Sequence, residues 1–297
     1  MKIKNSVSKP LNISASFQEI DKKLEKYSID SFNDLLKIKE YLDEFNLERL
    51  FNNLDIDRVG GTANELESTV SAFNRKPFEP EYGDLCRLHY ILLSRRCIST
   101  LEFGSGYSTV VMADALKILS THFELWARAN TRVEKPFHLH SIDEDQVFLD
   151  ITSRRLGESL SDFVTLSRSS VELISHENRF ATVYSALPNI SADFIYLDGP
   201  SQYATTQSIN GFSLDNPVRM PMSADILRIE FFLEPGTLVL VDGRTSNARF
   251  LKSFLKRNWA YRHDCDGDVH YFELQEGPLG NLNKDKLDFC TKGRWLI

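Results

Sequence analysis

A short glycine-containing segment behind an apolar run is the part of this sequence best suited to bind a ligand. Residues 98–103 have the length and composition of a buried strand. Gly104 and Gly106 follow, and a tight turn is expected there because glycine reaches backbone angles that other residues avoid. Ser108 and Thr109 are residue types that cap helices, and apolar residues then recur at helical spacing. Strand, turn and helix start together predict a nucleotide-type cradle.

The acid that precedes this turn favours one kind of nucleotide. Glu102 lies two residues ahead of Gly104. A dinucleotide would bring a pyrophosphate to the turn, and a nearby carboxylate would repel that charge. S-adenosylmethionine (SAM) has no phosphate, and its methionine end carries an ammonium group that a carboxylate attracts. The residues therefore favour SAM, although a glycine turn in another α/β fold would give the same short pattern.

Further acids follow other predicted strands. Asp143 directly follows the second strand, where a carboxylate can accept hydrogen bonds from both ribose hydroxyls. Glu144 and Asp145 are expected to cap the next helix. Asp198 and Asp242 each follow an apolar run. Because ligands bind at the carboxyl ends of the strands in open α/β sheets, these acids are expected at the mouth of one site.

Other polar residues complete the candidate site. Ser170 follows a predicted third strand and is placed to meet the adenine, with a simple helix cap as the competing interpretation. Arg244 is expected either to orient an anionic substrate or to pair with Asp242. The polar insert of residues 201–222 is expected to select the substrate, since long loops at this edge carry function or act as lids.

Apolar periodicity along the chain alternates between strands and helices. It predicts helices over residues 16–54, 82–96, 146–156, 223–233 and 247–256, and a long helix that follows the glycine turn and reaches residue 128. It predicts strands over residues 98–103, 137–143, 162–166, 194–197 and 237–242. Two last strands, residues 259–264 and 269–274, are joined by a hairpin turn at Asp266 and Gly267. Such alternation indicates an α/β fold with a parallel sheet.

Residues 81–274 resemble the class I SAM-dependent methyltransferases, closest in pattern to the catechol and caffeoyl-CoA O-methyltransferases. The matching pieces are Gly106-Tyr-Ser108 with residues 110–113, Ile142-Asp143, Ser170-Val-Glu-Leu-Ile174, Phe194-Ile-Tyr-Leu-Asp198 and Gly236-Thr-Leu-Val-Leu-Val-Asp242. The resemblance implies a Rossmann-like, doubly wound, mostly parallel seven-stranded sheet that ends in an antiparallel hairpin. It implies a helical N-terminal extension over residues 1–80, a SAM-binding domain over residues 81–276 and a C-terminal tail over residues 277–297.

The same resemblance assigns roles to individual residues. Ser108 would hold the methionine carboxylate, Asp143 the ribose and Ser170 the adenine. The predicted cofactor-binding residues are Glu102, Gly104, Ser105, Gly106, Ser108, Asp143, Ser170 and Asp198. The predicted catalytic residues are Asp198, Asp242 and Arg244.

The chain departs from the Mg²⁺-dependent members of this class at two places. Those members bind the metal with an acid after strand four and an Asp-Asn pair after strand five. In this chain Asp198 and Asp242 occupy the positions of the two acids. Gly243 occupies the position of the asparagine. A hard cation takes six or more oxygen ligands. Residues 199–201 also lack the lysine that serves as base. Asp198 is therefore interpreted as a metal-free base or a structural acid; if Mg²⁺ is used, Asp198 and Asp242 are its candidate ligands.

Composition limits the partners. The 297 residues carry a net charge of −7, which argues against broad binding to nucleic acid. The four cysteines are scattered without a zinc or disulfide pattern, and neither a signal peptide nor a membrane-spanning run is expected. These features favour a cytoplasmic protein with a small-molecule substrate, no nucleic-acid or membrane partner, and an N-terminal region that can pair two chains.

The expected function is SAM-dependent methylation of a small molecule at a hydroxyl oxygen, with Asp198 or Asp242 accepting the proton. One alternative is a nicotinamide-dependent oxidoreductase, against which Glu102 and the missing third glycine of the dinucleotide pattern speak. Another is a non-catalytic SAM- or nucleoside-binding module that acts through its helical N-terminal region.

Overall fold

The computed structural model describes residues 14–51 and 80–297. The expectations that fall on residues 52–79, including the end of the first helical region, lie outside the described residues. Among the helices of the described part, none combines the length and the apolar character needed to cross a lipid bilayer.

Eleven strands lie within the described residues. They are β1 (Ser99–Phe103), β2 (His138–Asp143), β3 (Val164–Arg168), β4 (Val171–His176), β5 (Arg179–Tyr184), β6 (Phe194–Leu197), β7 (Ser208–Ile209), β8 (Phe212–Ser213), β9 (Leu238–Asp242), β10 (Trp259–Asp264) and β11 (Val269–Leu274). Seven of them form one sheet in the order β10-β11-β9-β6-β1-β2-β3. Neighbours are parallel from β9 to β3, while β11 runs antiparallel to both β9 and β10. The predicted Rossmann-like, seven-stranded sheet with a terminal hairpin is confirmed.

Helices cover both faces of this sheet. They are α1 (Ala15–Leu24), α2 (Leu35–Phe45), α3 (Tyr82–Arg95), α4 (Tyr107–Asn130), α5 (Gln146–Leu160), α6 (Asp225–Ile229), α7 (Thr245–Phe254) and α8 (Asn281–Thr291). All residues of β1 and β6 are buried, as expected of parallel strands packed on both faces. The carboxyl ends of β1, β2, β6 and β9 therefore meet at one edge, with the apolar core behind them.

The N-terminal extension is helical, as predicted, but its helix is interrupted between residues 24 and 35. Asp34 caps α2 by accepting a hydrogen bond from the Leu36 amide, and the residues before it form a short 3-10 turn. The extension packs on the main domain, since the Phe17 ring lies 4.5 Å from that of Phe123 in α4. It belongs to the same core as the sheet.

Two antiparallel pairs lie outside the main sheet. β4 and β5 form a hairpin directly after β3, so the interpretation of Ser170 as the cap of a helix is wrong. The insert of residues 201–222 contains the small β7–β8 pair. It packs on the first hairpin, because Gln207 accepts a hydrogen bond from the Leu173 amide at 2.9 Å.

The C-terminal residues, for which the sequence pattern predicts no element, form α8. Phe289 is 3% exposed, and its ring stacks on Trp126 with 3.9 Å between centroids. Lys286 is also buried, and its ammonium group lies 2.9 Å from Glu234 and 3.4 Å from Asp193. Few apolar residues are needed here because the buried lysine is paired with two carboxylates.

The packing of α8 predicts a large effect of a single truncation. Phe289→Ala should lower the free energy of unfolding by about 3 to 5 kcal/mol, because a buried aromatic ring is replaced by a cavity. Leu279→Ala is the control: that side chain is 67% exposed, and its loss should change stability by less than about 0.5 kcal/mol. Urea unfolding followed by circular dichroism measures both, and equal small effects would mean that α8 is not part of the core.

Candidate functional site

The glycine turn after β1 is held by its neighbour β2. The Gly104 amide donates to the Ile142 carbonyl at 2.8 Å, and the Ser141 hydroxyl donates to the Gly104 carbonyl at 2.9 Å. Gly104 has a φ of +99°, which favours glycine. A Cβ placed on Gly106 would meet no atom within 4 Å. The turn therefore opens onto free space at the start of the 24-residue helix α4.

The loop after β6 packs directly against this turn. A Cβ on Gly199 would lie 2.6 Å from the Gly104 nitrogen and 2.9 Å from its Cα, so the two backbones touch. The Asp198 amide donates to the Phe103 carbonyl at 3.0 Å. This close approach brings Asp198 beside the turn. The sequence predicted Asp198 at the strand end, but not the contact between the two glycines.

Glu102 lies beneath the turn and is completely enclosed. Ser108 and Thr109 donate their hydroxyls to its two oxygens at 2.5 and 2.6 Å. Burial raises the pKa of Glu102 to about 7, and these hydrogen bonds oppose the rise. Glu102 thus ties the start of α4 to β1. Its predicted attraction for an ammonium group, and the predicted contact of Ser108 with a carboxylate, stay predictions.

Asp143 lies at the tip of β2, next to the turn. The Ser105 hydroxyl donates to one of its oxygens at 2.9 Å and the Asp145 amide to the other at 2.8 Å. Burial and the charge of Glu144 raise the pKa of Asp143 to about 7. Asp145 accepts a hydrogen bond from the Val147 amide and so caps α5, as expected. Ser105 and Asp143, two predicted cofactor residues, are therefore in contact.

A group of serine hydroxyls adjoins Asp143. The Ser169 amide donates to the Asp143 carbonyl at 3.0 Å. Ser170 is exposed, and its hydroxyl lies 2.8 Å from that of Ser185, which in turn lies 3.3 Å from the Ser169 hydroxyl. Ser170 thus stands close to the predicted ribose residue. Ser185 was not found from the sequence, because only the β4–β5 hairpin brings it there.

Glu144 takes a different place from the one that its sequence position suggests. Instead of capping α5, its carboxylate accepts a hydrogen bond from the Tyr184 hydroxyl at 3.1 Å and one from the Ser201 amide at 3.4 Å. Glu144 therefore joins the tip of β2 to the loop after β6. Tyr184 also stacks on Phe103, with 5.8 Å between ring centroids. No local pattern identifies a contact across such a separation in sequence.

Asp198 is the acidic residue of the loop after β6. Its side chain is 52% exposed, and Arg244 Nε lies 3.5 Å from its Oδ1. Arg244 also donates to the Asp198 carbonyl, and to the Pro200 carbonyl at 2.7 Å. Partial burial raises the pKa of Asp198, while the charge of Arg244 and its hydrogen bond oppose the rise. The expected pairing of Arg244 with Asp242 is thus replaced by a pairing with Asp198, because the guanidinium spans the adjacent loop.

Asp242 lies deeper, at the tip of β9. The Tyr196 hydroxyl donates to it at 2.5 Å. Burial raises the pKa of Asp242 to about 7, with a further contribution from the charge of Asp198, while Tyr196 opposes the rise. Burial and the charge of Asp242 likewise raise the pKa of Asp84, in α3, to about 7. The two acids therefore interact electrostatically at this edge, and the charge of Arg87 lowers the pKa of both.

The arrangement does not suit Mg²⁺ at the position that the resemblance suggests. Asp198 is paired with Arg244, and Asp242 accepts from Tyr196. Within residues 14–51 and 80–297, neither acid belongs to a group of three His, Cys, Asp or Glu side chains close enough to share one ion. A hard cation takes six or more oxygen ligands, and these two acids do not supply them.

Comparisons with known proteins give only distant structural matches. No protein-family model matches the sequence, and no curated protein matches it. Among solved structures, the SAH-bound methyltransferase PaMTH1 of Podospora anserina aligns with a TM-score of 0.42 at 10% identity, covering 91% of this chain and all of that one. An O-methyltransferase of Bacillus cereus in complex with SAH gives 0.35 at 13% identity, covering 75% and 96%. A methyltransferase of Geobacter sulfurreducens gives 0.36 at 13% identity, covering 74% and 95%.

These TM-scores lie below 0.5, so the description of the fold rests on the strand order and the direction of each strand. The order β10-β11-β9-β6-β1-β2-β3, in which β11 alone is reversed, agrees with the mostly parallel, seven-stranded sheet with a terminal antiparallel hairpin that the resemblance implies. The site residues are placed by this sheet alone.

The contact between the two glycine loops predicts the effect of one added methyl group. Gly199→Ala should lower the free energy of unfolding by about 3 kcal/mol, because its Cβ meets backbone atoms that cannot turn away. Gly277→Ala is the matched control, since a Cβ there meets nothing within 4 Å. Thermal and urea unfolding measure both variants. A Gly199→Ala protein as stable as the control would contradict the close approach.

Proposed function

We propose that this protein is a SAM-dependent methyltransferase that acts on a hydroxyl oxygen of a small molecule. The observation that carries the proposal is the ring of carboxylates around the glycine turn. Glu102, Asp143 and Asp198 come from the ends of three adjacent strands, β1, β2 and β6.

The charge of these carboxylates determines which kind of nucleotide can bind at the glycine turn. The carboxylates of Asp143 and Asp198, when ionised, repel the two negative charges of a pyrophosphate that lies over the turn. The same groups attract a ligand that carries a sulfonium and an ammonium group. This argument supports SAM over a nicotinamide dinucleotide.

The ligand is proposed to occupy the open space above Gly106. In the proposed complex, the methionine end lies there beside the start of α4 and Asp198. The ribose lies at Asp143, whose carboxylate also accepts a hydrogen bond from the Ser105 hydroxyl. The adenine lies near Ser170 and Ser185. Helix N–H groups without an intrahelical partner offer hydrogen bonds to the methionine carboxylate.

SAM, when bound, supplies a methyl group on a positively charged sulfur. The protein has to place the acceptor in line with that group, exclude water and take up one proton. Asp242 is the proposed base, since its raised pKa matches proton transfer near neutral pH. Asp198 holds the methionine end, and Arg244 fixes the loop that carries Asp198. The insert of residues 201–222 is proposed to contact the acceptor.

Ligand binding tests the cofactor. Both SAM and its demethylated product, S-adenosylhomocysteine (SAH), should raise the melting temperature, whereas NAD should not. A ligand at 100 times its Kd adds about 2.7 kcal/mol to stability, which a thermal shift assay detects easily. A shift with NAD and none with SAM or SAH would contradict the proposal.

A matched substitution locates that binding site. Gly106→Val should abolish the thermal shift with SAM and SAH while leaving the ligand-free melting temperature nearly unchanged, because its Cβ meets no protein atom within 4 Å and its methyl groups extend into the space above the turn. Gly277→Val, which also extends into open space, should keep the full shift. Binding that persists in Gly106→Val would place the ligand elsewhere.

The pH dependence of turnover tests the base. Asp242 must be ionised to accept a proton, so kcat/KM should rise as the pH increases through about 7 and then level off. Asp242→Asn should lower kcat by about 100- to 10,000-fold and remove this rise. Release of SAH in the presence of candidate hydroxyl acceptors measures the rate.

Asp84→Asn provides the control for this assignment. The substitution removes a negative charge that opposes the ionisation of Asp242, so the rise in kcat/KM should move to lower pH while activity is kept. An unchanged profile in Asp242→Asn would show that another group accepts the proton.

A further inference from the structure

A second cluster of potential ligands lies on the β10–β11 hairpin, next to the loop that follows β9. His263, Asp268 and His270 each present one ligand atom, and these atoms all lie within 4.8 Å of one another. His263 and His270 are directly opposite each other in the antiparallel pair. Their rings lie on the same side of the hairpin, with 3.9 Å between centroids and 18° between planes.

The chemistry of this set indicates which ion would bind. Two imidazoles and one carboxylate are the ligands of a four-coordinate Zn²⁺ site that keeps one position for water. At metal–ligand bonds of about 2.0 Å, tetrahedral ligand atoms lie about 3.3 Å apart. His263 is partly exposed and Asp268 is exposed, which leaves their side chains room to rotate. Binding of one ion requires the His263 ring to turn out of its stack on His270, so that both imidazoles present a nitrogen to the same point.

The His270 ring is held in place by a neighbour at each of its two nitrogens. Its ring is buried and lies between two hydroxyls, with Thr245 Oγ1 3.0 Å from Nε2 and Tyr261 OH 3.0 Å from Nδ1. On binding, one ring nitrogen exchanges its hydroxyl for the metal. The other keeps its hydroxyl, which fixes the tautomer and the orientation of the ring.

The backbone holds the carboxylate in place as well. Asp268 has a φ of +46°, and its carbonyl accepts a hydrogen bond from the Gly243 amide at 2.9 Å. Its Oδ2 lies 3.8 Å from the position of a Cβ on Gly243. Asp268 is therefore anchored to the loop that follows β9.

We propose that His263, Asp268 and His270 form a binding site for one Zn²⁺ ion that fixes the β10–β11 turn. Cys265 is excluded from the ligand set, although its Sγ lies 3.6 Å from His263 Nδ1. It does not join the group whose atoms all lie within 4.8 Å. A water molecule is the fourth ligand.

The test uses the full chain without a polyhistidine tag, freed of metal by a chelator. Titration with Zn²⁺, followed by calorimetry, should give one site per chain, and Zn²⁺ should raise the melting temperature. His263→Ala and Asp268→Asn should each weaken binding by more than about tenfold. Asp268→Asn keeps a residue type that tolerates the left-handed backbone.

Matched variants in the same turn separate this site from adventitious binding. Asp266→Asn removes an exposed carboxylate two residues away, and Cys265→Ser removes the thiol; both should keep the affinity of the unmodified chain. With Co²⁺ in place of Zn²⁺, the visible spectrum should show tetrahedral coordination without a thiolate charge-transfer band. Affinity that survives His263→Ala and Asp268→Asn, or absence of stoichiometric binding, would overturn the proposal.

Discussion

The contact between the Gly104 and Gly199 backbones is the constraint on which the candidate site depends. Each of these residues follows the end of a central strand, and the gap between them leaves no room for a Cβ on Gly199. The hydrogen bond from the Asp198 amide to the Phe103 carbonyl closes the same gap. Because the two loops share one surface, a ligand over the first glycine turn necessarily lies beside Asp198.

The acids at this edge are kept in place by neutral donors more than by cations. Two hydroxyls hold Glu102, and a hydroxyl and an amide hold Asp143. Hydrogen bonds compensate part of the cost of burying a carboxylate, and the rest appears as pKa values raised to about 7. These hydrogen bonds fix the positions of both carboxylates at the edge of the sheet.

The sequence was sufficient for the sheet because central strands are continuous apolar runs. Both strands of the terminal hairpin have the predicted bounds. Contacts between loops that are far apart in the sequence could not be predicted, so the positions of Glu144 and Ser185 at the candidate site were missed. The β4–β5 hairpin carried a readable signal, since Val171 and Leu173 alternate with polar residues, but the serines before it favoured a helix cap. In α8, a buried lysine replaces part of the apolar stripe that would have marked the helix.

The N-terminal extension reaches the same edge through one buried cation. Arg87 of α3 is 1% exposed; it pairs with Asp84 and donates to the Asn33 side chain at 2.8 Å. Asn33 also donates to Asp264, at the end of β10. The charge of Arg87 lowers the pKa of both Asp84 and Asp242, against the rise that burial causes. Since Asn33 also holds this guanidinium, the extension contributes to the position of the charge that lowers the pKa of Asp84 and Asp242.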